Sequence, residues 1–104
     1  MPELKGTEMK HMVLISFTDL GLKNIKDSLK RAGKFRKSVE AAGGKILAQY
    51  WCLGEYDGCV IFEAPTEQIA ASLILALAKQ GNVKTTTLHA FDEPDFKEVM
   101  ESLG

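Results

Sequence analysis

A β-hairpin in the middle of the chain restricts the fold more than any other feature of the sequence. Residues 45–53 and 58–63 have the composition of strands, and the short segment between them contains Gly54, Asp57 and Gly58. Glycine tolerates a positive φ and aspartate bonds to neighbouring backbone, so this segment predicts a tight reversal between two antiparallel strands. The hairpin fixes the register of a sheet, and the other elements are placed relative to it.

Two further segments have the pattern of strands. Residues 11–17 are apolar at both odd and even positions, which is typical of a central strand covered on both faces. Residues 82–91 instead alternate, and the face formed by Thr86, Leu88 and Ala90 is expected to be core. The opposite face mixes hydroxyls, an imidazole and two apolar groups: Val83, Thr85, Thr87, His89 and Phe91.

Three helices are expected between and after these strands. Apolar residues recur every three or four positions between residues 29 and 42, before a pair of glycines that can end a helix. Thr66 can cap a second helix, which runs through Ala78, ends at Gly81 and is apolar nearly all round. A third helix starts near Pro94, and Phe96, Val99, Met100 and Leu103 line one stripe of it. One sheet face cannot cover the second helix completely, so the C-terminal helix or another chain must cover the rest.

The order of these elements predicts the fold class. Strand, helix, strand, strand, helix, strand gives an α+β, ferredoxin-like arrangement: a four-stranded antiparallel sheet with two helices on one face, followed by a C-terminal helix. We expect residues 1–9 to be a disordered lead, residues 10–92 to form the domain, and residues 93–104 to form a helix that packs on it.

The predicted topology leaves one face of the sheet open. Depending on the parity of the strands, that face carries Tyr50 or Trp51 and several of Met12, Leu14, Cys59, Val60, Ile61 and Phe62. An apolar patch beyond a few hundred Å² is unusual on a soluble monomer. We therefore expect a homodimer or higher oligomer in which two open faces stack and bury about 1,600 Å².

Composition excludes several classes of partner. The 104 residues are 45% hydrophobic and carry a formal net charge of -1, so no overall field attracts nucleic acid or an anionic membrane. No apolar run reaches the roughly 18 residues of a spanning helix, and residues 1–10 lack the apolar centre of a signal peptide. We expect a cytoplasmic protein, in which Cys52 and Cys59 serve as small apolar side chains rather than as a disulfide.

Candidate site residues are those that could share a cavity on the open face. They are Ser16, Tyr50, Trp51, Thr85, Thr87 and His89, with Tyr56 either contacting a ligand or clamping the hairpin corner. His89 is the candidate catalytic residue, because an imidazole beside hydroxyls can move protons. That arrangement would suit a cofactor-independent oxygenase or isomerase acting on a small aromatic or lactone compound, which is an analogy by fold.

The alternative to an enzyme is a small-ligand-binding or interaction module, and oligomerisation itself is a third possibility. An enzyme requires His89 and a hydroxyl to converge on an enclosed pocket, whereas a module is compatible with a shallow or filled one. The sequence has no cluster with metal-ligand spacing and no phosphate-binding glycine loop, so neither a metal nor a cofactor is expected.

Four short blocks, taken together, resemble the GYD domain family. They are Phe17-Thr18-Asp19 with Gly21 and Lys26-Asp27-Ser28; Tyr50-Trp51-x-Leu53-Gly54-Glu55-Tyr56-Asp57; Glu63-Ala64-Pro65; and Gly81-Asn82-Val83-Lys84-Thr85-x-Thr87-Leu88-x-Ala90-Phe91. The resemblance covers roughly residues 12 to 92, and Leu29 stands where the family often has proline. The resemblance implies an assembly of the dimeric α/β-barrel type, built from ferredoxin-like chains, and implies no activity.

Overall fold

The computed structural model describes residues 9–104, so the expected disordered lead lies almost entirely outside the described residues. The elements in chain order are β1 (Met9–Phe17), α1 (Asp19–Lys23), α2 (Ser28–Ala41), β2 (Lys45–Trp51), β3 (Gly58–Ala64), α3 (Glu67–Ala78), β4 (Val83–Ala90) and α4 (Glu93–Leu103). A single 3₁₀ turn at Ile25–Asp27 joins α1 to α2. No helix within residues 9–104 has the length and apolar character needed to cross a membrane.

The four strands form one antiparallel sheet in the order β2-β3-β1-β4. β1 and β3 are therefore central, as the ferredoxin-like topology requires, and the predicted fold class is confirmed. Val13 lies opposite Val60 on one side and Thr87 on the other. Since residues directly opposite each other share a face, this register assigns the side chains of three strands at once.

The core lies between one face of the sheet and helices α2 and α3. Val13, Val60 and Phe62 from the central strands are at most 1% exposed and pack with residues of both helices, among them Val39 and Ala70. The ring of Phe62 also meets Phe35 of α2 edge to face, with centroids 5.5 Å apart. Helices α2 and α3 both bury their apolar residues against this face of the sheet.

The structure corrects the expected orientation of β4. Its alternation is as predicted, but Thr85, Thr87 and His89 point to the helix-covered side, because Thr87 lies opposite the buried Val13. Leu88, which was expected in the core, lies opposite Met12 and is 45% exposed on the open side. The edge position of β4 explains the error. Side chains of an edge strand on the helix-covered side are only partly covered, so they need not be apolar.

Helix α1 was not predicted: Thr18-Asp19 with Gly21 indicated the end of β1, and a helical turn was expected only at residues 24–26, close to the 3₁₀ turn. Its two leucines, Leu20 and Leu22, are exposed and give no apolar stripe. The helix depends instead on its cap: Thr18 Oγ1 accepts a hydrogen bond from the backbone N–H of Gly21. β2 also ends at Trp51, two residues earlier than expected.

Helix α4 forms where it was predicted, but none of its residues is buried. Asp92 caps it by accepting from the backbone N–H of Asp95, and Pro94 occupies its first turn. It does not supply the expected cover for α3, whose outward Leu75 is 66% exposed. The division of the chain into a domain at 10–92 and a helix packed on it at 93–104 stays a prediction.

Candidate functional site

The Gly-x-Tyr-Asp corner between β2 and β3 closes one end of the sheet. Asp57 Oδ2 accepts a hydrogen bond from the backbone N–H of Phe17 at 2.8 Å, and the backbone N–H of Asp57 donates to Ile15 O at 2.8 Å. The ladder between β1 and β3 ends at Ile15 and Gly58, so Asp57 continues it with one backbone bond and one side-chain bond. Gly54 has φ +139°, a conformation that favours glycine, as the sequence indicated.

A second set of hydrogen bonds joins the end of β1 to the start of β4 at the same end of the sheet. Thr18 donates from its backbone N–H to Asn82 O at 3.1 Å and from Oγ1 to Gly81 O at 2.6 Å. A Cβ at Gly21 would overlap the carbonyl oxygen of Asn82, so only glycine allows this close approach. Three of the four sequence blocks therefore meet at one end of the sheet, where their role is structural.

A small cavity lies beside this end, between the core face of the sheet and α2. Its volume is about 50 Å³, and its lining includes Trp51, Asp57 and Arg31. That is room for a few water molecules, whereas pockets for small organic ligands are roughly 300 Å³ or more. Ser16, Thr85, Thr87 and His89 do not line it.

The predicted site residues do not converge on one cavity. The register places Tyr50 opposite Cys59 and Ser16 opposite Lys84, on the open face, whereas Trp51, Thr85, Thr87 and His89 belong to the helix-covered side. Tyr56 is half-buried in the hairpin corner. The expected open-face cavity containing His89 and hydroxyls is therefore absent from the described residues, and a ligand-binding role for these side chains stays a prediction.

His89 instead belongs to a cluster with His11 and Glu67. The two imidazoles stack with centroids 5.6 Å apart, and the Glu67 carboxylate lies 3.5 Å from His11 Nε2 and 4.0 Å from His89 Nδ1. His11 is buried, and its Nδ1 has no hydrogen-bond partner among the described residues. The sequence could have revealed this cluster only through the register of β1 and β4, because that register places His11 opposite His89.

No group of three or more histidine, cysteine, aspartate or glutamate side chains within residues 9–104 is arranged to hold a metal ion. The two cysteines are free, and burial raises the pKa of the Cys59 thiol. A thiol with a raised pKa is less often ionised and is a poorer nucleophile. The described residues therefore offer no activated nucleophile at this position.

The open face of the sheet has an apolar centre. Met12 and Leu14 of β1 lie opposite Ile61 and Cys59 of β3, and Leu88 of β4 extends the patch at the side. These four central side chains are half-buried by one another, whereas Tyr50 on β2 is 63% exposed. No helix among the described residues forms a layer over this face, in contrast to the two helices on the other side.

Charged groups lie at one end of the open face. Lys10 Nζ is 3.3 Å from a carboxylate oxygen of Glu63, 3.1 Å from one of Asp92 and 3.6 Å from one of Asp95. The hydrogen bond to Asp92 raises the pKa of Lys10, and the backbone N–H of Asp95 together with Lys10 lowers the pKa of Asp92. This cluster fixes the first turn of α4 at the rim of the open face.

These features define a ferredoxin-like α+β protein whose most distinctive polar groups hold the ends of its strands together. Comparison with known proteins gives the family: the model of the GYD domain matches residues 11–100, and the chain belongs to the GYD domain family. The match runs past residue 92 into α4, so the family resemblance extends further along the chain than the sequence blocks indicated.

One relative and two solved structures are informative. The chain is 34% identical over 85 residues to the glutamine synthetase and cystathionine beta-lyase binding protein of Thermus thermophilus, a match that covers 81% of this chain and 90% of that protein. MtbAldR is similar in structure, with a TM-score of 0.65 at 11% identity over 83% of this chain.

The second solved structure is a feast or famine regulatory protein from M. tuberculosis complexed with L-methionine. It gives a TM-score of 0.64 at 16% identity over 88% of this chain. The matches cover only 55% of MtbAldR and 56% of the second protein, and at these identities they show the fold alone.

Proposed function

We propose that this protein is a homodimeric protein-interaction module whose two chains stack through their open sheet faces. The observation that carries the proposal is the uncovered apolar centre formed by Met12, Leu14, Cys59 and Ile61 on the two central strands. Central strands with an apolar face on each side need a second cover, and a copy of the same sheet matches that face in shape and polarity. The expected interface is of standard size, about 1,600 Å².

The relative from Thermus thermophilus supports an interaction role. It is named for binding two enzymes, and the match to this chain spans nearly its whole length. We infer that this protein likewise binds metabolic enzymes, with glutamine synthetase and cystathionine beta-lyase of its own host as the first candidates. The cavity of about 50 Å³ beside the hairpin corner is too small for an organic ligand, and the groove of about 320 Å³ beside α3 is shallow and open, so protein partners are favoured over a small ligand held within one chain. The enzymatic alternative has less support, because His89 and the strand hydroxyls do not share an enclosed pocket within residues 9–104.

The dimer is tested by placing a charge in the centre of the open face. Ile61→Glu would bury an unpaired carboxylate between two sheets, so we expect the dissociation constant to rise by at least about tenfold. Leu29→Glu makes the same chemical change at a position on α2 that is 70% exposed, and it should leave the dimer unchanged. Equal sedimentation of both variants and the wild type would contradict the proposed interface.

Enzyme binding is tested separately with purified components. Calorimetric titration of the protein into glutamine synthetase or cystathionine beta-lyase from its own host should give saturable binding to at least one of them. Leu29→Glu and Ile61→Glu then show whether the binding surface needs the dimer. Absence of binding to both enzymes by a correctly folded dimer would reject the proposed partners while leaving the dimer intact.

A further inference from the structure

Helix α4 presents an apolar stripe that no other element within residues 9–104 buries. Phe96, Val99, Met100 and Leu103 are spaced along one side of the helix, and their exposed fractions range from 36% to 75%. Phe96 makes one ring contact, with Phe91, at a centroid distance of 6.3 Å. Four large apolar side chains on an 11-residue helix are a typical anchor set for binding in a groove.

The ion cluster at Lys10 directs α4 away from the helical layer. Lys10 lies opposite Glu63 and Ala90 in the sheet, on the open side, and its ammonium group binds both Asp92 and Asp95 at the start of α4. Helix α3 lies on the opposite side of the same sheet. The stripe of α4 therefore does not reach the outer face of α3 in its own chain.

That outer face of α3 is the second uncovered apolar surface. Ala71, Ser72 and Ala76 surround Leu75, and all four are exposed. Small side chains allow another helix to approach closely, at an interaxial distance of about 8–10 Å. A groove of about 320 Å³ runs beside Leu75 towards β4, and its lining includes the buried His11, whose Nδ1 has no partner among the described residues.

The two surfaces are complementary in size and in charge. The stripe on α4 is formed by large side chains and the outer face of α3 by small ones, and the helices are 11 and 12 residues long. Helix α4 carries four carboxylates and one lysine. Helix α2, which packs beside α3, carries three exposed lysines: Lys30, Lys34 and Lys37. Lys30 and Lys34 line a groove with Gln80, just beyond the end of α3, so an acidic helix lying on α3 would meet cations at that end.

We propose that α4 of one copy docks on the outer face of α3 of a second copy. Every chain offers both surfaces, so the occupant of the groove is a segment of the same protein, and the contact is separate from the stacking of open sheet faces. Together the two contacts would build assemblies larger than a dimer.

Mixed crosslinking tests the docking directly. In a Cys52→Ser, Cys59→Ser background, Leu75→Cys and Val99→Cys are made in separate chains, mixed and oxidised. Docked helices hold the two thiols together at an effective concentration near mM, so at µM protein the mixed disulfide should exceed that of unassociated chains by about tenfold or more. The matched control replaces Leu75→Cys by Leu29→Cys, since Leu29 is equally exposed on α2.

Two results would overturn the proposal. One is a mixed disulfide with Leu29→Cys as abundant as that with Leu75→Cys, or no mixed disulfide with either. The other is a Leu75 to Val99 disulfide formed within single chains that carry both substitutions, and not between chains, because α4 would then dock on its own α3. Since the readout is the mixed disulfide itself, failure of the sheet-face dimer would leave this test interpretable.

Discussion

Removing the Asp57 carboxylate tests the claim that the family hairpin stabilises the end of the sheet by its hydrogen bond to β1. Asp57→Ala removes the acceptor for the half-buried backbone N–H of Phe17 but leaves the backbone bonds of residue 57 to Ile15 and Cys52 available. An unsatisfied buried donor costs about 1–3 kcal/mol, so we expect the free energy of unfolding to fall by about 2 kcal/mol. Small domains have about 5–15 kcal/mol in total, so this loss is easily measured.

Two further variants identify the cause of the loss. Asp57→Asn keeps an acceptor oxygen and should cost only about 0.5–1.5 kcal/mol, the difference between a charge-assisted and a neutral bond. Glu55→Ala changes an exposed carboxylate in the same corner and should stay within about 0.5 kcal/mol of the wild type. The assay is urea unfolding at one fixed chain concentration, because association changes apparent stability. A loss below about 0.5 kcal/mol for Asp57→Ala, or an equal loss for Glu55→Ala, would refute the reasoning.

Three other outcomes are expected. Gly21→Ala should lower the free energy of unfolding by about 1–3 kcal/mol, because the added Cβ would overlap Asn82 O. Thermal unfolding measures this loss. An unchanged midpoint would show that α1 and the segment before β4 can move apart at little cost. The pKa of Asp92 is lowered in the folded protein, so its stabilisation of α4 is present above the ordinary carboxyl pKa of about 4 and is lost as pH falls through the folded value. Amide NMR signals of α4 should report this acid transition in the wild type but not in Asp92→Asn, which keeps the cap and loses the charge. Identical titrations of the two proteins would reject Asp92 as the titrating group. His89→Ala should change the free energy of unfolding by less than about 1 kcal/mol in urea unfolding, since the side chain is 42% exposed, and a larger loss would assign His89 a core role.

The topology could be predicted because its signals are local. The glycines and Asp57 specify the hairpin, Thr66 caps α3, and Gly43 ends α2 with φ +89°. Each signal states where one element begins or ends, and the order of elements then leaves few possible folds. The sequence did not predict which residues of β1 face the helices, because its odd and even positions are both apolar. The register of the sheet was needed to assign them.

The candidate site was less predictable, because it depends on which face of an edge strand meets the helices. Thr85, Thr87 and His89 of β4 resemble a solvent-facing set, yet they share the side of the buried Val13. The path of α4 depends on an ion cluster that joins Lys10 to Asp92 and Asp95, more than 80 residues along the chain. Neither relation leaves a periodic signal in the sequence, because each is set by contacts between distant segments.

The central claim is that two chains stack through their open sheet faces. Sedimentation equilibrium of the Leu75→Glu variant at micromolar concentration tests it most directly, since that substitution removes any contact through α3. The account predicts the mass of two 11.4 kDa chains, falling to the mass of one chain when Ile61→Glu is added. A single-chain mass for Leu75→Glu alone, with the fold intact by circular dichroism, would contradict it.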